Sequence, residues 1–472
     1  MLVDFYEFTM SNTFFSDNKK DTTVCFDMFF RKSPDGAQFA IAVGLEQFVN
    51  YVGSLKFTDE DIDYLRSKNL FNEEFLKYLK DFKFKGDIYA VKEGSVVFPN
   101  EPIVTVKASV IEAQLIETML LLTINHQSLI ATKTNRIVRA AKGRTVLEFG
   151  ARRAQGYDAA ILGARAAYIG GVHGSATALS DIEFNVPASG TMAHSFIQLY
   201  KDEYEAFSAY ARHNPDNATL LVDTYNVLES GIPNAIKVSK EILEPMGKRL
   251  KGVRLDSGDL TYLSKKARKM LDEAGLEDCK IVASNSLDEK IITELLSQEA
   301  PIDIFGVGER LITSKSEPVF GGVYKLSAVE EDGNFVPRIK ISENAEKVTN
   351  PGYKELYRFY DKDTKKAIAD VITLHEENVN REEYEIFDPI HTWKRKILKN
   401  FEVRKMQIPI FIKGECVYES PAIQEIREYC ESEVESLWDE VKRFVNPQEY
   451  YVDLSQKLYD LKQSLLKKHS CI

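Results

Sequence analysis

A chain of 472 residues is long enough to bury large cores and to divide into two or three domains. Its composition, 44% hydrophobic and 28% charged, is ordinary for a globular protein. A net charge of −11 lacks the basic face that general nucleic-acid binding needs, and no apolar run reaches membrane-spanning length.

The start, Met1-Leu-Val-Asp-Phe-Tyr-Glu-Phe8, has neither a basic n-region nor a small-residue cleavage site, so no signal peptide is expected. Alternating Val24, Phe26, Met28 and Phe30 predict a strand over Thr22–Arg31. Leu45–Leu55 and Glu60–Leu65 read as helices. Gly86–Lys107 alternates apolar with polar residues and turns at Glu93-Gly94 and Pro99-Asn100, which predicts a small β-sandwich. Ile111–Lys133 carries helical spacing throughout.

From about residue 144 the pattern becomes strand, loop, helix. Short strands are expected at Thr145–Phe149, Thr219–Asp223, Gly252–Leu255, Lys280–Ala283 and Ile302–Phe305, with helices at Tyr157–Tyr168, Asn234–Leu243 and Leu260–Ala274. This alternation predicts a parallel α/β barrel, irregular because its period is uneven. Beyond about residue 345, Leu356–Ile372 reads as a hairpin, and Gln424–Phe444 and Asp453–Lys468 as long amphipathic helices. The domains are placed at 1–135, 136–345 and 346–472. Five scattered cysteines (Cys25, Cys279, Cys416, Cys430, Cys471) have no zinc or CxxC spacing, so free thiols in a reducing cytoplasm are expected.

Four motifs follow apolar runs in the middle stretch. In Asp256-Ser-Gly-Asp259 two carboxylates flank a turn. They suit vicinal sugar hydroxyls, or equally an Asx-turn capping the next helix. Arg254, two residues earlier, shares the strand face of Asp256. Glu148-Phe-Gly-Ala-Arg152-Arg153 offers guanidinium forks for an anion, against the plainer outcome of a surface ion pair; Phe149 is either core or a stacking platform. Phe305-Gly-Val-Gly308 is a phosphate cradle or a tight turn. His194, in the small-residue run Gly190-Thr-Met-Ala-His-Ser195, is either structural or a reachable group for proton or phosphoryl transfer.

Taken in order, these motifs resemble the nicotinate phosphoribosyltransferase family. So do Asp4-Phe-Tyr6-Glu-Phe-Thr-Met10, Phe29-Phe-Arg31-Lys-Ser-Pro34, Val222-Asp-Thr-Tyr225, Val323-Tyr-Lys-Leu326, Val417-Tyr418, Glu425-Ile-Arg427 and the tail from Asn446-Pro447 to Leu461-Lys462. The resemblance implies an irregular α/β barrel of the type II phosphoribosyltransferase kind, with an N-terminal α+β sandwich domain and a C-terminal α+β domain. It implies a small-molecule enzyme with no nucleic-acid or membrane partner. Nicotinate and phosphoribosyl pyrophosphate would give nicotinate mononucleotide and pyrophosphate, the entry step of NAD salvage. Coupling to ATP hydrolysis, dependence on Mg²⁺ and a homodimer with shared active sites are further implications.

Residue by residue, the resemblance gives Tyr6 of the neighbouring protomer and Phe149 to sandwich the pyridine ring. It gives Arg254, with Arg152 close by, to the carboxylate. Asp256 and Asp223 go to the ribose hydroxyls, the Gly308 amide to the 5′-phosphate, Arg31 to pyrophosphate across the dimer, and His194 to phosphorylation by ATP. Two positions depart from the family. Glu309 follows Gly308 where threonine is common, so only the glycine amide is carried over. His173 stands in a loop where relatives often have aspartate, so that loop takes no role. No acidic residue lies between Gly170 and Leu179, which favours nicotinate over the amide. The same fold acting on nicotinamide is the nearest alternative. A quinolinate-type enzyme is a shorter chain without the ATP-linked histidine. A catalytically dead barrel fits poorly with Arg254, Asp256 and His194 all present.

Overall fold

The computed structural model describes residues 1–470; Cys471, counted above among the free thiols, lies outside the described residues. The chain forms two compact units, residues 130–318 and residues 1–129 with 319–472.

The unit 130–318 is built on six parallel strands: β1 Thr145–Glu148, β2 Gly174–Ser175, β3 Thr219–Leu221, β4 Gly252–Leu255, β5 Lys280–Ser284 and β6 Ile304–Val307. Their order is β2-β1-β6-β5-β4-β3, every neighbouring pair parallel. This is the irregular α/β barrel expected, with β2 and β3 as the ends of the hydrogen-bonded run. Val146, Val253, Leu255, Ile281, Ala283, Phe305 and Val307 are fully buried, as strands covered on both faces require. The intervening helices are locally specified. Asp202 and Asp259 each cap a helix through the third amide of the following turn, and Asp288 caps Glu289–Ser297 through two amides. Leu260–Glu273 buries Leu260, Ala267 and Leu271 along one stripe. The Asn234–Leu243 helix is instead Ile232–Val238 between two π-turns, Val227–Gly231 and Ser239–Leu243.

The other unit carries a seven-stranded sheet in the order Asn334–Pro337, Val323–Glu331, Thr23–Phe29, Val104–Ser109, Asp87–Val91, Gln407–Ile412, Glu415–Cys416. The strands of Gly86–Lys107 therefore do not close a sandwich among themselves. Asp87–Val91 pairs with Gln407–Ile412, and Val323–Glu331, grouped by sequence with the barrel, pairs with Thr23–Phe29. Segments from both ends of the chain thus share one core, in which Phe8, Phe26, Phe48, Ile88, Val106, Leu356 and Phe411 are buried. Arg358, fully buried, joins Asp370 at 2.7 Å, Glu433 at 3.0 Å and the Val96 carbonyl at 2.9 Å. A guanidinium this deep is tolerable only because carboxylates and a carbonyl occupy its fork.

Helix boundaries differ from expectation in three further places. The Ile111–Lys133 helix is two, Val110–Leu115 and Glu117–Ala140, broken at Ile116. Gln424–Phe444 stops at Ser436, and Tyr451–Leu454 is a strand, with Gln456–Ser470 as the final helix. Cys25, Cys279 and Cys430 are buried free thiols and Cys416 an exposed one. Burial pushes Cys279 and Cys430 up to about 12, far from the thiolate that reacts. No helix among the described residues is long and apolar enough to cross a membrane.

Candidate active site

Four of the six barrel strands, β1, β3, β4 and β5, deliver polar or aromatic groups to the site at their C-terminal ends, where an α/β barrel carries its chemistry. On β4, Arg254 spends its donors inside the site. Nε bonds Ser284 Oγ at 2.9 Å, one terminal nitrogen bonds Thr191 Oγ1 at 3.0 Å and the Met192 carbonyl at 3.2 Å, and the other bonds Asp256 Oδ1 at 3.0 Å. Ser284, at the end of β5, in turn donates to Asp256 Oδ1. Arg254, Asp256 and Ser284 form a closed triangle.

Burial alone would push the Asp256 carboxyl up. The Ser284 hydroxyl, the Arg254 guanidinium and His194 more than offset this and hold it below the usual carboxylate range. Asp223, just past β3, accepts the Asp256 amide at 2.9 Å and the Ser257 hydroxyl at 2.6 Å through Oδ2. Its Oδ1 is buried with no hydrogen-bond partner. The turn between the two acids of Asp256-Ser-Gly-Asp259 needs Gly258, whose φ is +79°. Both readings of this motif hold, one for each carboxylate: Asp259 caps a helix through the Tyr262 amide at 2.8 Å, and Asp256 faces the site.

His194 opens the short helix His194–Leu199 rather than lying in a loop, because helical backbone begins directly after the extended Ala193. Its Nδ1 meets Thr224 Oγ1 at 3.0 Å. Its Nε2 faces Asp256 Oδ2 at 3.8 Å and Asp223 Oδ1 at 4.0 Å. Phe149, just past β1, lies over Gly306 of β6: a Cβ there would stand 2.5 Å from the ring. The Arg254 guanidinium carbon is 5.8 Å from the centre of that ring. Gly308 begins a four-residue helix, Glu309–Ile312.

Glu309 turns into ion pairs, 2.5 Å from Lys315 and 3.9 Å from Arg153. Arg152 is exposed and engages no side chain among the described residues. His173 is tied to β1, accepting the Val146 amide on Nδ1 at 3.3 Å and giving its own amide to the Val146 carbonyl at 2.8 Å. Tyr6 and Arg31 belong to the other unit. Tyr6 is 43% exposed on the helix Phe5–Ser16, and Arg31 lies 5.6 Å over the Phe29 ring.

The structure thus brings together Phe149, Asp223, His194, Arg254 and Asp256. It adds Thr191, Thr224 and Ser284, which sequence reading gave no role because a lone hydroxyl in a loop or at a strand end carries no distinctive pattern. Glu148, quoted within a motif but given no role, is fully buried. It accepts the Gly150 amide and, at 2.6 Å, the Ser175 hydroxyl, and so fixes the turn that aims Phe149. Burial raises its carboxyl against those two donors.

A parallel barrel with arginine, paired carboxylates and histidine at its strand ends has the groups that a phosphoribosyl-transferring α/β enzyme uses. Models of the nicotinate phosphoribosyltransferase N-terminal domain, family and C-terminal domain match residues 1–125, 145–372 and 353–462. The nicotinate phosphoribosyltransferase of Bacillus subtilis is 46% identical over 97% of this chain and 93% of its own. That of Dictyostelium discoideum is 35% identical over 98% and 88%. The crystal structure of human nicotinic acid phosphoribosyltransferase superposes with a TM-score of 0.87 at 28% identity, covering 98% of this chain and all of that one. The chain belongs to the nicotinate phosphoribosyltransferase family.

Proposed function

We propose that this protein joins nicotinate to phosphoribosyl pyrophosphate, giving nicotinate mononucleotide and pyrophosphate, and couples the transfer to ATP hydrolysis through His194. The observation that carries the reading is the Arg254–Asp256–Ser284 triangle beside the Phe149 ring, within a chain of this family. The pyridine ring stacks on Phe149, which Gly306 lets approach the sheet. Arg254 and Arg152 receive the carboxylate. Asp256 and Asp223 accept the ribose hydroxyls, and the Gly308 amide the 5′-phosphate. The ring nitrogen already carries its nucleophilic lone pair, so the protein's task is alignment with the anomeric carbon. The N–C bond forms as the bond to pyrophosphate breaks, and cationic groups stabilise the departing charge.

At His194 the two carboxylates facing Nε2 favour the proton there and leave the Nδ1 lone pair, held by Thr224, to attack the γ-phosphorus. The N–P bond forms as ADP leaves; water later cleaves it to phosphate. Among the described residues no group of three His, Cys, Asp or Glu could cage a metal by itself. Mg²⁺ needs only one or two carboxylates beside substrate oxygens, and Asp223, with its buried unpartnered Oδ1, fits. When bound, Mg²⁺ would supply charge neutralisation on pyrophosphate. Supply of Tyr6 and Arg31 by a second protomer belongs to the same proposal, as does a reducing cytoplasm, with which four unpaired thiols agree.

The test is product analysis by mass after incubation with phosphoribosyl pyrophosphate, Mg²⁺ and either base, with and without ATP. Nicotinate is expected to turn over, faster with ATP. Nicotinamide is expected to be disfavoured by about two orders of magnitude or more, because it leaves arginine unpaired. Comparable efficiency with both bases overturns the substrate assignment, and indifference to ATP overturns the coupling.

A further inference from the structure

The unit that excludes the barrel contains a cleft of 660 Å³, a size typical of small-molecule sites. Its walls include the strands Thr23–Phe29, Ala367–Leu374 and Tyr451–Leu454. One pair of charges in the wall is self-contained. Lys354 meets Asp27 at 2.7 Å, with 3% and 5% of their side chains exposed, and gives a second hydrogen bond to the Gly352 carbonyl.

Two other charges are not compensated. Asp453 lines the cleft and is 3% exposed, yet its carboxyl has neither a hydrogen bond nor an ion pair among the described residues. Lys462 lines the same cleft and bonds only Asn350 Oδ1, at 2.8 Å, leaving two N–H donors open. The charge that acts on Asp453 is Asp388, itself engaged by His391 Nδ1 at 2.9 Å and by Lys394 at 3.8 Å. The charge that acts on Lys462 is Lys354. A buried carboxyl without a partner is costly, and native proteins keep few of them.

We infer that this cleft binds a small molecule with an amino-substituted nitrogen heterocycle at one end and an anionic group such as phosphate at the other. Asp453 takes the amino and ring-nitrogen edge, and Lys462 takes the anion. Burial, and then Asp388, push the Asp453 carboxyl up to about 7. At neutral pH such a group can accept an amino N–H and donate its own proton to the ring nitrogen. The exposed lining offers a flat ring two apolar surfaces, Ile390 81% and Tyr451 48% exposed, beside the charged Glu346, Lys394 and Glu449. A simple amine would leave Lys462 unanswered, and an inorganic anion would leave Asp453 unanswered.

The probe is adenosine 5′-monophosphate, titrated calorimetrically into the full-length protein and into Asp453→Leu, Lys462→Met and His194→Ala. One molecule per chain is expected to bind the wild type and His194→Ala equally. Each cleft variant should bind at least about tenfold more weakly, the loss of the hydrogen bonds at one end of the ligand. Adenosine and ribose 5-phosphate, each lacking one end, should also bind at least about tenfold more weakly. Asp453→Leu removes an uncompensated carboxyl and keeps the branched shape, so its melting temperature should hold or rise. Lys462→Met, on the partly exposed final helix, decides the matter if Asp453→Leu does not fold. No binding by the wild type, unchanged binding by the folded cleft variants, or loss in His194→Ala overturns the proposal.

Discussion

Ser284→Ala tests the triangle at its least obvious corner. The serine is 3% exposed, donates to Asp256 and accepts from Arg254 Nε at 2.9 Å, so the substitution removes two charge-assisted hydrogen bonds without touching either charge. It also leaves the Arg254 Nε–H facing a methyl group. Hydrogen bonds to charged groups contribute about 1.5–3 kcal/mol, and Asp256 is half-buried, so a loss at the lower end is expected. That corresponds to about tenfold or somewhat more in kcat/KM for nicotinate mononucleotide formation.

A second readout is independent of binding. Ser284 is the foremost of the groups that lower the Asp256 carboxyl against its burial, so removing it raises that pKa. A carboxyl depressed in the folded protein contributes stability above its unfolded pKa of about 3.9, and this is lost as pH falls through the folded value. In Ser284→Ala that contribution is smaller and its loss is complete at a higher pH, and the acid limb of the pH–rate profile moves up. A variant with wild-type kcat/KM and an unmoved acid limb would falsify the claim that this serine organises the site.

Gly306→Ala places a methyl group 2.5 Å from the Phe149 ring, an overpacking that costs about 1–3 kcal/mol and moves the ring. The KM for nicotinate should rise about tenfold while that for phosphoribosyl pyrophosphate stays within about twofold; equal rises in steady-state assays count against a ring-stacking role. His194→Ala should abolish ATP hydrolysis yet leave slow, ATP-independent transfer. Wild type given γ-labelled ATP should carry an acid-labile label that peptide mapping finds at His194, and a label elsewhere removes the assignment. Mixing a Tyr6/Arg31 double variant with an Arg254 variant should restore part of the activity in heterodimers; no recovery, with subunit exchange confirmed by mass, speaks against a shared site.

The barrel was legible because its strands are short apolar runs punctuated by acids and glycines, and Gly252–Leu255 has the bounds the pattern gave it. The N-terminal sheet was not. Asp87–Val91 finds a neighbour in Gln407–Ile412, more than three hundred residues away, and periodicity carries no information about which strand lies beside which. In the same way Asp453 reads as the first turn of an amphipathic helix, but Tyr451–Leu454 pairs in parallel with Ala369–Ile372 and takes it into a strand. The charged corners of the site, Arg254 and Asp256, stand out in sequence because two-residue spacing on a strand puts them on one face. Ser284 came from a different strand, and only the register that sets Val282 beside Arg254 brings it near.

The pairing within the site also bears on which base it selects. Arg254 is balanced by Asp256 at 3.0 Å, and Asp223 adds a second carboxylate within reach of His194. A nicotinate carboxylate placed against Arg254 alone would meet a neutral ion pair with another acid behind it, an environment with little net attraction for an anion. Excess positive charge must come from elsewhere in the unit. Arg153 and Lys315 share it with Glu309, whose carboxyl they hold low, Lys315 foremost. Arg152 shares its charge with nothing among the described residues, and it is anchored just after Phe149, the ring on which the base would stack. Under the proposed function, Arg254 therefore orients the carboxylate through its fixed geometry, and Arg152 supplies the unbalanced charge that separates an acid from its amide. The glutamate after Gly308 fits the same account: neutralised by Lys315, it leaves the glycine amide free of a competing negative charge where the resemblance places a phosphate.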